Sequence, residues 1–434
     1  MSAEFQINTE WDSPFDDEPE ISLTAALISM TVKGHCITRN ENTISMSNRD
    51  HVYLSAYPLA LWLALSWWRL RWETSKEGVA PPFGWHMTHE MPAAGHGFIW
   101  PVVTFESDGE AISVKARGTS SGPKEMIIYL VDNEESISAA SFERAIGLFI
   151  EQTLSRLDDR DKRGTALHAL WKDIQEQRQD PVSALARQME ARLGFDPDEM
   201  PDSLGRLMVD LGDRAGTAAA KELASGCAGE EAERVLKELV DIDRNGAAKG
   251  RLQPGLREGA HEVMAHLPWD LGWELARKVR RTMGIGTEPI NDARLCEVLG
   301  LPSRVLPEPL YRGERRSIGL CVRTDDRGTL AFYPRKQYET GKRFEFARFV
   351  CESIIAGEDD RWLLDSDAKT YRQKVQRAFA AEWLCPVEGI LNMIGSDHSE
   401  GAREDAASYY NVSPELVRSL LVNSGSARRE ELYL

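Results

Sequence analysis

The sequence predicts an α+β protein: an N-terminal α+β domain, a helical middle region, and a C-terminal domain that is mostly helical with a small sheet. Three observations predict it. Period-two alternation runs through residues 23–55 and returns near 98–131. Residues 165–267 are poor in aromatics and rich in Ala, Glu, Arg and Leu at helical spacing. A strand hairpin over 317–334 then sits among strongly helical segments. A chain of 434 residues holds about two to four domains. The expected boundaries are an acidic tail at 1–22, an α+β domain rich in Trp at 23–160, a helical connector at 161–268 and a C-terminal domain at 269–434.

The first segment carries Glu4, Glu10, Asp12, Asp16, Asp17, Glu18 and Glu20 and no basic residue before Lys33. Such a segment repels itself and is expected to be a disordered, solubilising tail; the alternative is that Phe5, Trp11 or Phe15 docks as an aromatic anchor on a basic partner or elsewhere on this protein. The runs LTAALISM, TVKGHCITR, NTISMS and HVYLS read as strands, with turn signals at Gly34 and Asn40 to Asn42. AYPLALWLALSWWRLRWE reads as one buried helix, with Ser55 as cap and Pro58 in its first turn. Its Trp62, Trp67, Trp68 and Trp72 are expected in the core rather than as a stacking site for a base or a methylated lysine.

In GWHMTHEMPAAGHG, His86, His89, Glu90 and His96 look like metal ligands, but Pro92 and Gly95 keep His89 and His96 off one helix face. A loop site made by His86, His89 and His96 is therefore an alternative reading, beside hydrogen-bonded histidines of a folded loop. FIWPVVTFESDGEAISVKARG reads as a hairpin through Asp108-Gly109, PKEMIIYLV as a further strand, and SFERAIGLFIEQTLSRL as a helix capped near Ser141.

TALHALWKDIQEQ, VSALARQMEARLG and EEAERVLKELVDID supply the helices of the middle region, with turns at Gly194, Asp196-Pro197, Gly226 and Gly246. Beyond it come a helix in GWELARKVRRTMGI, a second in DARLCEVLG, and the hairpin SIGLCVRTDDRGTLAFYP turning at Asp326 to Gly328. GKRFEFARFVCESIIAG is a helix with Thr340 as cap and Phe344, Ala347, Val350, Cys351 and Ile354 on one face, ending at Gly357. After an acidic loop, GEDDRWLLDSDAK, YRQKVQRAFAAEWLCP makes a helix that Pro386 stops. Residues 405–422 have helix–turn–helix spacing, with Ser413 as cap and Pro414 in the first turn. Only Arg418 is basic on the second of those helices, which is too little charge for phosphate contacts.

The pair of helices over 342–386 resembles the ImmA/IrrE family of metallopeptidases, whose first helix reads roughly R-F-x-x-A-H-E-x-G-H and whose second reads E-x-x-A-N-x-F-A-A-x-L-L-x-P. Arg343, Phe344 and Ala347 match the first, and Phe379, Ala380, Ala381, Leu384 and Pro386 the second. The resemblance covers about residues 270–425 and implies a zincin-like C-terminal domain, in which a small helical unit at 405–422 is structural. In an H-E-x-x-H helix, two imidazoles four residues apart grip one zinc ion while the glutamate activates its water.

The resemblance places Arg348, Phe349 and Glu352 at those three positions, and Gln373 or Val375 where the family carries its third ligand, a glutamate. Arginine stays cationic, phenylalanine takes no proton, and one carboxylate is a weak zinc site. Arg348 and Glu352 are instead spaced for an i,i+4 ion pair on the helix. The nine histidines leave none between 267 and 397, so no such motif is hidden there.

No apolar run reaches the eighteen or so residues a membrane helix needs, and the acidic start is unlike a signal peptide, so a cytoplasmic protein is expected. Six cysteines without a C-x-x-C pair argue against a zinc ribbon and a disulfide framework. A net charge of −17 argues against nucleic acid and anionic membranes as partners. No phosphate loop or dinucleotide fingerprint is present, and no cofactor is expected; the sequence specifies no small-molecule ligand.

The expectation is a noncatalytic, peptidase-like binding or regulatory protein with a protein partner, since the family acts on regulators in stress responses and mobile elements. Arg343, Arg348, Glu352 and Arg377 are its candidate binding residues. The alternatives are a metal-dependent peptidase displaced to His86, His89 and His96, and a DNA-binding regulator acting through residues 405–422.

Overall fold

Residues expected to form a disordered acidic tail open the first sheet instead. Phe5–Trp11 is a strand, β1, with Phe5 and Ile7 buried and Gln6 and Asn8 exposed, so a period-two face outweighs the charge of the segment. Its flanking carboxylates are partnered: Glu4 accepts from the backbone N and Oγ of Ser138 at 2.9 and 2.7 Å, and Glu20 meets Lys162 at 3.1 Å. The computed structural model describes residues 3–14, 18–119, 125–227, 229, 232–242, 248–258, 263, 267–308, 316–324 and 328–428. Phe15, Asp16, Asp17, Gly246 and the expected turn residue Asp326 lie outside these. The protein is α+β, with several small antiparallel sheets and a largely helical middle and C-terminal region. It forms two compact units, Met1–Pro201 and Asp202–Leu434.

The first unit continues through α1 (Pro19–Leu23), β2 (Ala25–Val32), β3 (His35–Cys36), β4 (Asn40–Asn42), β5 (Ser47–Arg49) and β6 (Val52–Ser55). Next come α2 (Ala56–Leu65), α3 (Trp67–Trp72), α4 (Phe83–His89), β7 (Val102–Ser107), β8 (Ala111–Arg117), β9 (Ile127–Tyr129) and β10 (Asn133–Ser138). The unit closes with α5 (Ala139–Asp158), α6 (Ala166–Gln179) and α7 (Pro181–Leu193). Strand β2 pairs with β1, β3 and β6, while β5-β4-β9 and β10-β8-β7 form two further sheets.

The single helix expected over 56–73 is interrupted at Ser66, a residue whose side chain competes with the helical backbone. Trp62, Trp67, Trp68, Trp85 and Trp100 are all buried, and Trp67 meets Trp171 edge-on at 5.2 Å; these rings are core. The polar strand β10 was hidden because only Ile137 of it is buried. The cap of α5 is Ser138, whose Oγ accepts from the Ser141 backbone N at 3.3 Å, three residues before the expected cap.

The helices expected to form a connector at 161–268 do not form a unit of their own. Leu167, Trp171 and Ile174 of α6 lie in the first core, whereas α8 (Asp202–Ala215), α9 (Thr217–Cys227) and α10 (Ala232–Ile242) belong to the second unit. That unit continues with β11 (Ala248–Gly250), α11 (Pro268–Thr282), α12 (Asp292–Leu299), β12 (Gly319–Arg323), β13 (Leu330–Tyr333) and α13 (Glu339–Ile355). It ends with β14 (Trp362–Asp365), α14 (Tyr371–Leu384), α15 (Val387–Ile394), α16 (Glu400–Tyr410) and α17 (Pro414–Asn423).

Its sheet has the order β11-β13-β12-β14, every pair antiparallel. Strand β14 falls inside the expected acidic loop: the apolar run Trp362-Leu363-Leu364 is buried and pairs with β12, Gly319 opposite Asp365. Helix α13 starts at Glu339 with Tyr338 as its cap residue, ahead of Thr340. Among the described residues, no helix is long and apolar enough to cross a membrane.

Helices α11 and α14 approach closely through Gly272, where an added Cβ would stand 2.6 Å from the Val375 carbonyl oxygen and 2.8 Å from the Phe379 backbone N. Gly272→Ala therefore overpacks this seam and lowers stability by about 1–3 kcal/mol in denaturant unfolding. Gly401→Ala in α16, with nothing within 4 Å, leaves stability unchanged or raises it by up to about 1 kcal/mol. Equal midpoints for the two variants would contradict the packing described.

Candidate functional site

Helix α13 is amphipathic in sequence but buried nearly all round, because its polar side chains turn inward onto partners rather than outward to water. Arg343 is fully buried: its Nε donates to the Asn411 carbonyl at 3.1 Å, its Nη2 to the Ile290 carbonyl at 2.5 Å, and its Nη1 pairs with Asp292. It fastens α13 to the start of α12 and to the turn between α16 and α17.

One turn further on, Arg348 reaches across to the end of β14. Its Nη1 meets Asp365 Oδ1 at 2.5 Å, and its Nη2 donates to the Ser366 carbonyl at 2.9 Å and to Gln373 Oε1. Arg335, in the connection from β13 to α13, meets the same Asp365 oxygen at 2.9 Å and forks onto Asp367 at 2.6 and 2.7 Å. Gln373 Nε2 in turn donates to the Leu364 carbonyl and to Glu222 Oε2, both at 3.1 Å; Thr370 Oγ1 adds a bond to the same Glu222 oxygen at 2.7 Å.

Glu352, one turn beyond Arg348, pairs with Arg372 and accepts from Gln376 Nε2 at 2.5 Å. Arg372 also meets Asp360 at 3.1 Å, and Gln376 donates to the Leu364 carbonyl at 3.0 Å. Arg377, the fourth candidate, donates to the carbonyls of Ser366 and Ala368 at 3.3 and 2.9 Å.

Two expectations change here. Arg348 and Glu352 do not pair with each other along the helix: both are buried, at 3% and 1% exposure, and each finds a partner on another element. Arg343, Arg348 and Glu352 are therefore enclosed within the unit and not presented on its surface. Arg377 is half-buried and committed to the backbone at the start of α14.

Burial sets the protonation of this cluster. It pushes the Glu345 carboxyl up to about 8, assisted by the neighbouring Asp365 charge and opposed by the backbone N–H groups of Arg335 and Lys336, which donate to it at 2.8 and 2.9 Å. An added Cβ at Gly319 would collide with this carboxyl, so the glycine makes its room. Burial also raises Glu352 against the pull of Arg372. At Asp367, burial is overcome by the hydrogen bonds and charge of Arg335, which hold it at about 2.

As chemistry, the cluster offers fixed cations and carboxylates already engaged. Phe349 is wholly buried against Phe332 and Phe346. Val375 is buried too, leaving Gln373 as the second-helix residue that meets Arg348. Among the described residues, no group of three or more His, Cys, Asp or Glu side chains is placed to hold a metal ion.

The alternative set in the first unit does not converge. His86 and His89 lie on α4, which forms a short helix rather than a loop. His86 Nδ1 bonds Glu90 at 2.8 Å; His89 is buried, stacked on Trp85 at 4.3 Å, with Nδ1 on the Trp85 carbonyl at 3.0 Å. Burial lowers His89 to about 3, so it stays neutral. His96 lies in a turn with φ of 56°, and the three histidines form no group placed to hold a metal among the described residues. The unit at 405–422 forms α16 and α17 as expected, with Ala406, Ala407, Val417, Leu420 and Leu421 in the core of the second unit. Arg418 is held by Glu415 at 2.5 and 2.9 Å.

Asp365, Arg335, Arg372, Gln376 and Glu222 complete the network and were not anticipated. Trp362-Leu363-Leu364 was the available signal, an apolar run too short for a helix that carries Asp365 on its end. Comparisons of the chain with family models, with curated proteins and with solved structures return no match.

Because the folded state holds the Glu345 proton up to about 8 while an unfolded chain releases it near 4.5, stability falls as pH rises through that window. Glu345→Gln removes this titration and flattens the pH slope by up to about 1.4 kcal/mol per pH unit. Chemical denaturation at pH 5, 6, 7 and 8 measures it, and identical slopes in both proteins would rule the assignment out.

Proposed function

We propose that the second unit is a noncatalytic, peptidase-like scaffold and that the protein acts by binding, as a regulatory protein with a protein partner. One observation carries the reading: the Arg348 guanidinium is bonded to both Asp365 and Gln373, so a permanent cation joins the two helix positions at which the resemblance puts metal ligands. Glu352, at the second ligand position, neutralises Arg372 and accepts from Gln376. Phe349 stands where a general base is needed. Activating a water takes a metal grip or a free base in reach of it, and these side chains supply neither.

The partner meets the protein elsewhere than at Arg343, Arg348 and Glu352, whose burial makes them supports of the fold. This agrees with the packing of α16 and α17, which supports a structural role for residues 405–422.

Protein purified without chelator is expected to carry well under one zinc per chain by elemental analysis. A chelator is expected to leave capture of the copurifying partner unchanged. Cleavage of that partner that needs metal and stops on chelation would overturn the reading.

A further inference from the structure

The second unit holds an open pocket of about 960 Å³, near the upper end of the volumes that ligand sites occupy. It forms at one end of the four-stranded sheet. The register sets Gly250 of β11 opposite Leu330 of β13, Leu330 opposite Arg323 of β12, and Val322 opposite Trp362 of β14. Arg251, Arg323 and Arg361 are thereby brought to that same end, and Arg257 joins them from the segment after β11.

These four guanidinium groups line the pocket, and Arg251, Arg257 and Arg361 make no ion pair among the described residues. Arg323 donates through Nη1 to the carbonyls of Gly357 and Asp360 at 2.6 and 2.8 Å, and its buried Nη2 has no hydrogen-bond partner among the described residues. Burial, and then the charge of Arg257, lower the pKa of Arg323 against the opposing charges of Asp360 and Glu352. Ser353 of α13 also lines the pocket; it is 1% exposed, and its Oγ likewise has no hydrogen-bond partner among the described residues. In a chain of net charge −17, the lining thus gathers four arginines beside the carboxylates of Asp213, Glu358 and Asp359, with two buried polar atoms, Arg323 Nη2 and Ser353 Oγ, that have no hydrogen-bond partner among the described residues.

The rest of the lining limits what fits. Leu252, Leu256 and Leu330 give it apolar wall, and Asp213, Glu358 and Asp359 give it acceptors. A bare anion would use only the arginines. A molecule with a phosphate group at one end and hydroxyl or amino donors on an apolar-faced body uses all three kinds of wall. Guanidinium forks match phosphate oxygens two at a time, which makes arginine the apt residue for that end.

We propose that this pocket binds a phosphate-bearing small molecule of nucleotide size, its phosphates held by Arg251, Arg257, Arg323 and Arg361. It is a site separate from the Arg348 network and does not depend on whether that network is catalytic.

Isothermal titration of the full chain with ATP, GTP and inorganic pyrophosphate tests it, with adenosine as the phosphate-free control. At least one phosphate-bearing probe is expected to bind with Kd below about 1 mM, and adenosine to show no heat of binding. Arg251→Glu and Arg257→Glu, both at exposed positions, are each expected to weaken that binding at least about tenfold with unfolding midpoints unchanged. The proposal is overturned if no phosphate-bearing probe binds, if adenosine binds as well as ATP, or if both charge-reversed variants bind as the parent does. None of these outcomes bears on zinc content or chelator response, so the two proposals fail independently.

Discussion

The second unit depends on one buried cation. Arg348 leaves α13 and ends among Asp365 at the tip of β14, the Ser366 carbonyl after it, and Gln373 in the first turn of α14. Taking a guanidinium and a carboxylate out of water costs several kcal/mol for each ion, and their attraction compensates only when geometry is good and the remaining hydrogen bonds are made. Here Asp365 Oδ1, the Ser366 carbonyl and Gln373 supply partners, while Arg348 Nε and Asp365 Oδ2 have none among the described residues. Arg335 shares Asp365 with Arg348 and is itself held by Asp367, so three segments of chain cannot shift without stranding a charge. Breaking one partner of such a set typically costs about 3–5 kcal/mol, because the other charge stays buried alone.

The first unit uses the same device in smaller form. Arg69 bonds Glu73 at 2.7 Å and Asp196 at 3.3 Å, with His89 kept neutral by burial beside them. In both units, arginine serves as a structural fork inside a helix-lined interior, where its planar donors satisfy several acceptors at once. This explains why residues that look catalytic or metal-binding by type, His86, His89 and Glu352, turn out to be spoken for by neighbours.

How much of this was legible depended on whether a signal was local. The α+β class, the helices at 371–384 and 414–423 and the Trp core followed from period and capping, which act over a turn or two. Strand β1 was missed because seven carboxylates outweighed the alternation of Phe5 and Ile7, and charge says nothing about partners such as Ser138 and Lys162 that come from far along the chain. Strand β14 was missed for a like reason, its acidic neighbours reading as solvent. The candidate site was legible at α13 and α14, where Arg348 and Gln373 were named. Their use was not, since an i,i+4 spacing suggests a helical pair while burial and tertiary partners decide otherwise. Arg251 and Arg257 are far in sequence from Arg323 and Arg361, and sheet register brings the two groups to one end of the sheet, which no local pattern encodes.

The central claim is that Arg348 is a structural support in which guanidinium and carboxylate depend on each other. A double-mutant cycle on Arg348→Met and Asp365→Asn, read by denaturant unfolding of the full chain, addresses that dependence most directly. The account predicts a coupling energy of about 1–3 kcal/mol, with the double variant less destabilised than the sum of the single ones. Additive effects, within about 0.5 kcal/mol, would mean that the two residues act separately and would contradict it.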